Sequence, residues 1–166
     1  MNNNISPMNS VNFQAKLDIS KVKGSKQRWQ NIARLFEEKT KRYPNDALIL
    51  DGSFKRGIYV NLTEKGLLSF DETSFSHQAT ARLKKLSDKD IVKNIVDVFK
   101  YLRNIEPTLT KQEQLAARFN LHKMGGLEGE VLRMKFDNIM YEIREANNKK
   151  FIAEHPVFKN GGIDLL

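Results

Sequence analysis

The chain of 166 residues contains no cysteine and only three histidines. Without cysteine it can form no disulfide framework, no thiolate zinc site and no cysteine nucleophile. His77, His122 and His155 stand far apart, and none has a second histidine or a carboxylate at the spacing of a helical metal site. No glycine-rich loop is followed by Lys and Ser or Thr, which excludes a Walker-type nucleotide site. We therefore expect no metal site and no cofactor.

The sequence also lacks long apolar runs. No segment approaches the length of a membrane span, and the opening residues MNNNISPMNS have neither the basic start nor the continuous apolar stretch of a secretory signal. We therefore expect a soluble, cytoplasmic protein without membrane insertion. Residues 1–10 are polar, rich in asparagine and interrupted by Pro7, which predicts a disordered tail.

One clear sheet nucleus is present, between Asp46 and Asp71. Three short apolar runs, each bounded by polar residues and glycine, predict three strands. Asp51, Gly52 and Ser53 are predicted to open the first turn, which has Lys55 and Arg56 at its tip, and Thr63–Gly66 is predicted to form the second turn, where Gly66 suits a positive φ. This stretch therefore predicts a three-strand antiparallel meander over residues 46–71.

The residues before the meander predict a strand and a helix. Apolar side chains at every second position over residues 11–19 indicate a half-buried strand that adds to the sheet. Ser25 can cap a helix that begins near Lys26, and apolar residues three and four apart continue to Tyr43, before Pro44.

The residues after the meander predict helices. Apolar spacing indicates a helix over 74–86, a second one capped by Ser87 and stopped by Pro107, and a short one from Thr110 to about Asn120. Gly125, Gly126 and Gly129 then loosen the chain before a helix over 130–146. The fold class is therefore α+β, a small antiparallel sheet covered by helices, with a helical C-terminal half from about residue 74.

The same order predicts the domain organisation. We expect a single domain over residues 11–154, because no internal repeat and no linker divides it. Residues 155–166, with Pro156 and two glycines, are predicted to form an irregular tail whose apolar Ile163, Leu165 and Leu166 dock back on the body.

The helix over 130–146 has an apolar seam with steps of four and three residues, formed by Leu132, Phe136, Ile139, Ile143 and Ala146. Such a seam is typical of a helix packed in a core, and also of one that pairs with a second copy. The run is shorter than the three to four heptads of a coiled coil. We expect a core helix, with a dimerising seam as the alternative.

Positive charge is concentrated in the N-terminal half. The formal net charge is +8, and residues 16–43 hold nine basic and three acidic residues, a net of +6. Such a field favours nucleic acid or another polyanion, although a solvated helix face gives the same pattern. The candidate polyanion-binding residues are Lys21, Lys23, Lys26, Arg28, Arg34, Lys41, Arg42, Lys55 and Arg56. Among aromatic residues, Tyr59 and Phe54 are better placed to stack on a base than Trp29 or Phe36, which are core candidates.

The order helix, three strands, helix over Lys26–Leu86 resembles that of double-stranded-RNA-binding domains. The resemblance implies a lysine cluster at the start of the second helix. Here Ser74–Gln78 is uncharged, and Arg82, Lys84 and Lys85 stand at the other end.

The segment LTKQEQLAARFNLHK, Leu109–Lys123, resembles the first helix and turn of a helix-turn-helix DNA-binding unit. The resemblance implies that the next helix enters the major groove. Gly125, Gly126 and Gly129 fall in that helix, where each glycine costs about 1 kcal/mol of helix propensity. Two ordinary helices joined by a turn are the alternative.

The leading hypothesis is a non-enzymatic binding protein whose basic N-terminal half contacts nucleic acid or another polyanion. The alternative is a protein-interaction or assembly module that docks a partner, or a second copy through the helix over 130–146. An enzyme ranks third, because no catalytic signature is present in the sequence, although distant residues can assemble an active site.

Overall fold

The computed structural model describes residues 14–43, 45–64, 67–103, 120, 123–160 and 163–165. The chain divides into two compact units, residues 1–100 with 157–166 and residues 101–156. The beginning of the predicted first strand, the turn at Lys65 and Gly66, and most of the predicted helix over 110–120 lie outside the described residues.

The first unit contains a five-stranded sheet whose strands follow one another in chain order. They are β1 (Lys16–Lys23), β2 (Ala47–Ser53), β3 (Gly57–Glu64), β4 (Leu67–Phe75) and β5 (Ile163–Leu165). The predicted α+β class with a small sheet is confirmed, and β2, β3 and β4 form the predicted antiparallel meander.

The sheet is mixed, because β1 pairs with β2 in parallel. The first helix, α1 (Lys26–Lys39), connects these two strands. A helical crossover returns the chain to the same end of the sheet, so two adjacent strands joined in this way run in the same direction. The expectation of a purely antiparallel sheet therefore fails at its first strand, although the order strand, helix, strand was visible in the sequence.

The sheet has one buried apolar face. Alternate positions of β2 and β3 point to it, and their apolar side chains are 0–2% exposed. The side chains of this face are Leu17, Leu48, Leu50, Ile58, Val60, Leu62 and Phe75. The intervening positions of β1, β2 and β3, here called the open face, carry mostly polar side chains, and none of those described is buried.

Three helices contribute to the core of the first unit. The buried stripe of α1 consists of Trp29, Ile32 and Phe36, as its apolar spacing predicts. The other two helices are α2 (His77–Lys84) and α3 (Asp88–Arg103). Phe36 meets Phe99 of α3 edge to face, with ring centroids 5.5 Å apart. Such pairs add about 0.5–1.5 kcal/mol beyond the burial of their area.

The helix boundaries follow the predicted caps. Ser25 Oγ accepts a hydrogen bond from the backbone N–H of Arg28, and Ser87 Oγ accepts one from that of Asp90. The helix predicted over 74–86 begins later, at His77 with Ser76 as its cap. Ser74 and Phe75 instead pair with β3, because ladder hydrogen bonds and burial of Phe75 on the sheet outweigh its helical spacing.

The first hairpin turn begins later than predicted, with the predicted tip at Lys55 and Arg56. Asp51, Gly52 and Ser53 belong to β2, and the turn is formed by residues 54–56. Gly52 has a φ of 130° and faces Gly57 so closely that a Cβ atom would overlap the carbonyl oxygen of Gly57. The glycine therefore permits a close approach of two backbones at the strand end and does not form the turn itself.

The C-terminal segment is more ordered than the predicted irregular tail. Residues Pro156–Phe158 form a 3-10 turn, and β5 pairs with β4. Phe158 and Ile163 are buried, and the Phe158 ring lies 5.0 Å from that of Phe75. The Arg82 guanidinium donates to the carbonyl oxygens of Val157 and Lys159. Ile163 therefore docks as predicted.

The second unit contains one long helix, α4 (Gly126–Glu154), which is longer than the predicted helix over 130–146. Gly125 caps it, and Gly126 and Gly129 lie inside its first turn. Beyond Asn147 and Asn148 the helix continues to Phe151, which is buried with its ring 4.5 Å from that of Tyr101. This tertiary contact outweighs the low helix propensity of the two asparagines.

Candidate nucleic-acid interface

The nine candidate basic residues lie in four places. Lys21 and Lys23 are exposed on β1, and Lys26 is exposed at the start of α1. Arg28 and Arg34 belong to α1. Lys41 and Arg42 follow its C-terminal end, and Lys55 and Arg56 form the exposed tip of the hairpin between β2 and β3. The contacts made by the first turn of α1 determine which of these four places lie close together.

Arg28 joins the first turn of α1 to the connection between α2 and α3. Its Nε atom lies 2.9 Å from Asp88 Oδ1. Its two terminal nitrogens donate to the carbonyl oxygens of Lys84, at 3.1 Å, and Leu86, at 2.8 Å. All three groups of the guanidinium are therefore engaged within the protein. Arg28 is a structural anchor, and we remove it from the residues expected to contact phosphate.

Phe54 brings the hairpin tip to the same place. Its ring stacks on Trp29 with centroids 4.6 Å apart and planes 14° from parallel. The Arg28 guanidinium carbon lies 5.5 Å from the centroid of the Phe54 ring, within the range of a cation–π interaction. The tip residues Lys55 and Arg56 follow Phe54 directly, so they extend beside the beginning of α1.

Six exposed basic residues surround this junction, and we call them the basic cluster. Lys23 stands opposite Ser53 at the tip end of the sheet, and Lys26 begins α1. Lys84 is held beside α1 by the hydrogen bond from Arg28 to its carbonyl oxygen. The members of the basic cluster are Lys23, Lys26, Lys55, Arg56, Lys84 and Lys85. None of these six side chains forms an ion pair with another residue of the described ranges.

Lys84 and Lys85 were not among the residues predicted from the sequence. In the sequence these two residues are adjacent lysines at the end of a predicted helix, which is the one local sign of a basic site there. Their approach to Lys26, however, depends on Arg28, which spans 56 residues of sequence to reach the Lys84 carbonyl. α2 has basic residues in its last turn and the uncharged Ser76 cap at its start, so the lysine cluster implied by the resemblance to double-stranded-RNA-binding domains does not lie at the start of that helix.

Four further predicted residues do not join the basic cluster. Lys41 and Arg42 follow the opposite end of α1, and a helix of 14 residues is about 21 Å long. Arg34 donates to Glu38 Oε1 at 2.6 Å and to Asn31 Oδ1 at 2.9 Å. Lys21 lies on the open face, opposite Asp51 of β2. The nine candidates therefore do not share one surface.

Asp88 is the carboxylate that binds Arg28 at the junction, and its charge is already compensated. Asn31 Nδ2 donates to Asp88 Oδ2 at 2.8 Å. This hydrogen bond, together with that from Arg28, holds the pKa of the Asp88 carboxyl below its ordinary value of 3.8, although partial burial opposes the shift. The carboxylate is therefore ionised at neutral pH and neutralises Arg28, while none of the six surrounding cations forms an ion pair with it.

A shallow groove of about 630 Å³ lies along the polar side of α1. It is lined by Arg28 and Asp88 and by hydrogen-bonding side chains such as Gln27, Gln30 and Asn31. Its lining contains no apolar wall that would bury a small organic ligand. The groove therefore extends the polar surface next to the basic cluster and does not resemble an enclosed substrate pocket.

Other site classes receive no support from the described residues. Within these ranges no three histidine, aspartate or glutamate side chains lie close enough together to hold a metal ion. His77 is exposed, and His155 caps the end of α4 with its Nδ1 atom 2.7 Å from the Phe151 carbonyl oxygen. Among the helices that the described residues form, none is both long and apolar enough to cross a membrane.

No family model matches the chain, and neither a curated protein nor a solved structure matches it.

Proposed function

We propose that this protein binds nucleic acid through the basic cluster. The observation that carries the proposal is the gathering of six exposed cations from three connections of the fold, none of them paired with a described carboxylate. Most contacts to nucleic acid are made to phosphate oxygens, and exposed Lys and Arg side chains provide them. A cluster whose anchor, Arg28, is itself neutralised by Asp88 keeps its six outer charges available.

The fold supports the proposal by fixing the segments from which the cluster extends. Lys55 and Arg56 are presented by a hairpin fixed through the stack of Phe54 on Trp29, and Lys84 and Lys85 by the connection that Arg28 binds. Preorganised charges lose less conformational entropy on binding than charges on a loose segment. Phosphate contacts release counterions, so the affinity should fall steeply as salt rises.

Trp29 provides a direct assay. It is the only tryptophan in the chain and stacks on Phe54 beneath the hairpin tip. Titration of the protein with DNA or RNA at low salt should change the emission of Trp29, and a gel-shift experiment should show retention. If no DNA or RNA is retained at low salt, the proposal is wrong.

A second candidate function, self-association through α4, is favoured by apolar side chains that this helix leaves in contact with solvent. Leu127, Met134 and Tyr141, seven residues apart, are 77%, 60% and 64% exposed. Val131 and Asn138 complete a pattern of steps of four and three residues. We call Leu127, Val131, Met134, Asn138 and Tyr141 the outer stripe.

The outer stripe differs from the seam predicted from the sequence. In that seam Leu132 and Ile139 are 37% and 53% exposed, while Phe136 and Ile143 are half-buried. Gly129, Met140 and Phe151 are the buried residues of α4. The helix is therefore buried at few positions, whereas a core helix was expected. An exposed apolar stripe with steps of four and three residues can pair with the same stripe of a second copy, so we take a second copy of this chain as the partner for the outer stripe.

A further inference from the structure

We infer that the ligand is single-stranded nucleic acid and that one of its bases stacks on Tyr59, on the open face of the sheet. This inference rests on the proposed function, because the basic cluster supplies the phosphate contacts. To the phosphate contacts of the basic cluster it adds a second surface, the open face, a second kind of contact, base stacking, and a preference for single over double strands.

The open face is defined by strand pairing. Lys21 stands opposite Asp51, Asp51 opposite Tyr59, and Tyr59 opposite Ser74. These four residues form one row across β1, β2, β3 and β4, and in a sheet such neighbours point to the same side. Their strand neighbours on the other side, such as Ile58 and Val60, are 2% and 0% exposed. The row therefore faces away from the core.

Tyr59 is conspicuous in this row. It lies on β3, the central strand of the five, and it is 67% exposed. An aromatic ring in the middle of a sheet normally buries most of its area against a second layer. Here the residues directly opposite it are Asp51 and Ser74, and the partly exposed Asn61 lies two positions along β3 on the same side. Short polar neighbours leave the ring accessible to a flat ligand.

A nucleic-acid base suits this arrangement. Base–aromatic stacking tolerates any base, because each has a π face. Asn61 can accept and donate hydrogen bonds at the edge of a stacked base, since its amide carries both kinds of group. In a duplex the base faces are already covered by their neighbours, so only an unpaired base can stack on Tyr59. The open face therefore favours a single strand.

The stacking position and the basic cluster are close enough for one short oligonucleotide. Lys23 belongs to the cluster and lies two residues beyond Lys21 on the same side of β1. From Tyr59 to Lys23 the separation is two strand spacings, about 10 Å, and two residues along a strand, about 7 Å. A strand whose base covers Tyr59 can place neighbouring phosphates at Lys23 and the hairpin tip.

The acidic residues of the open face restrict where the phosphates of the bound strand can lie. Asp51 stands between Lys21 and Tyr59 in the row, and Asp18 is exposed in part on β1. The pKa of the Asp18 carboxyl is lowered by its hydrogen bonds from Ser20, so it is ionised at neutral pH. Phosphates are repelled from these positions, which leaves the base over the centre of the sheet and the phosphates at its tip end.

The test is binding of a fluorescent oligothymidine, about 10 nucleotides long, measured by anisotropy at low salt. Stacking of one base on a protein aromatic side chain supports a loss of about 5-fold to 100-fold in affinity for Tyr59→Ala, and Tyr59→Phe should retain most of it. Asp51→Asn should tighten binding about 2-fold to 5-fold, on the scale of one exposed charge interaction. Met124→Ala, which removes an exposed apolar side chain outside both the sheet and the outer stripe, is the control and should change nothing.

A second probe separates stacking from charge. An abasic strand of the same length should bind wild type and Tyr59→Ala equally, because it has phosphates but no bases. A duplex of the same length should also be insensitive to Tyr59→Ala. If Tyr59→Ala weakens binding of neither the abasic strand nor the duplex and also leaves oligothymidine binding unchanged, the stacking inference is wrong while the proposed function stands. If wild type binds none of the three probes, the proposed function itself fails.

Discussion

The guanidinium of Arg28 lies 2.9 Å from the carboxylate of Asp88, and this ion pair joins the first turns of α1 and α3 across 60 residues of sequence. Both side chains are about a quarter exposed. The same guanidinium binds the carbonyl oxygens of Lys84 and Leu86. One side chain therefore joins the first turn of α1 to the connection between α2 and α3 and, through its contact with the Phe54 ring, to the hairpin tip, which links the stability of the fold to its charge distribution.

Arg28→Ala should lower the free energy of unfolding by about 2 kcal/mol, because it breaks three hydrogen bonds, one of them to a charged group. Urea denaturation followed by Trp29 fluorescence measures the change. Arg28→Lys should not restore the loss, since an ammonium cannot reproduce the planar fork of the guanidinium.

Arg34→Ala is the control for that measurement. Arg34 lies on the same helix, is 60% exposed and pairs with Glu38 one turn away. Exposed pairs at this spacing contribute about 0.3–0.5 kcal/mol. Equal effects of the two substitutions would contradict the anchoring role of Arg28.

Acid should weaken the fold partly through Asp88. The pKa of its carboxyl is below 3.8 in the folded protein, whereas the unfolded chain has an ordinary value. The unfolded state therefore binds a proton first, so the contribution of this group is fully present above the unfolded pKa and is lost as the pH falls through the folded pKa.

Asp88→Asn isolates this effect, because it cannot titrate. The wild type should be more stable than Asp88→Asn near neutral pH, and the difference should shrink below about pH 4. Urea unfolding of both proteins at several pH values measures this difference in stability. The pH-dependent contribution of Asp18 cancels, because both proteins contain it. A difference that stays constant down to about pH 3 would show that the ionised Asp88 carboxylate does not stabilise the fold.

The outer stripe of α4 should support self-association. Met134→Lys places a charge in the centre of the stripe and should raise the dimer dissociation constant at least 10-fold, because a buried, unpaired ammonium costs several kcal/mol. Sedimentation velocity over a range of concentrations measures this. Ile139→Lys is the control, since five residues on a helix correspond to a rotation of about 140° away from Met134.

Two results would contradict this prediction. A wild type that remains monomeric at every concentration would show that the protein does not form the proposed dimer. If Ile139→Lys disrupts the dimer and Met134→Lys does not, the seam predicted from the sequence, and not the outer stripe, forms the contact.

Local patterns predicted much of the fold. The spacing of Trp29, Ile32 and Phe36 identified the buried side of α1, and Ser25 and Ser87 identified two helix starts, because these signals depend only on neighbouring residues. The parallel pairing of β1 with β2 and the strand position of Phe75 were missed, since both depend on which distant partner offers more hydrogen bonds and buried area. Helical spacing alone cannot rank those partners.

The candidate site was predicted less completely for the same reason. The hairpin tip at Lys55 and Arg56 was found because an exposed turn between two strands is a local property. The removal of Arg28 and Arg34 from the site, and the addition of Lys84 and Lys85, depend on hydrogen bonds that only the folded chain reveals. Charge counting identified the region, while tertiary contacts selected its members.

The most direct test of nucleic-acid binding by the basic cluster is the salt dependence of oligonucleotide affinity. If all six cations contact phosphate, a plot of log K against log salt for a single strand should have a slope of about −4. Replacing Lys55 and Arg56 together by alanine should make the slope less negative by about 1.4, because two contacts are lost. Replacing Lys41 and Arg42, the same number of charges at the other end of α1, should leave it unchanged. Equal effects of the two double substitutions, or no binding at low salt, would contradict the assignment.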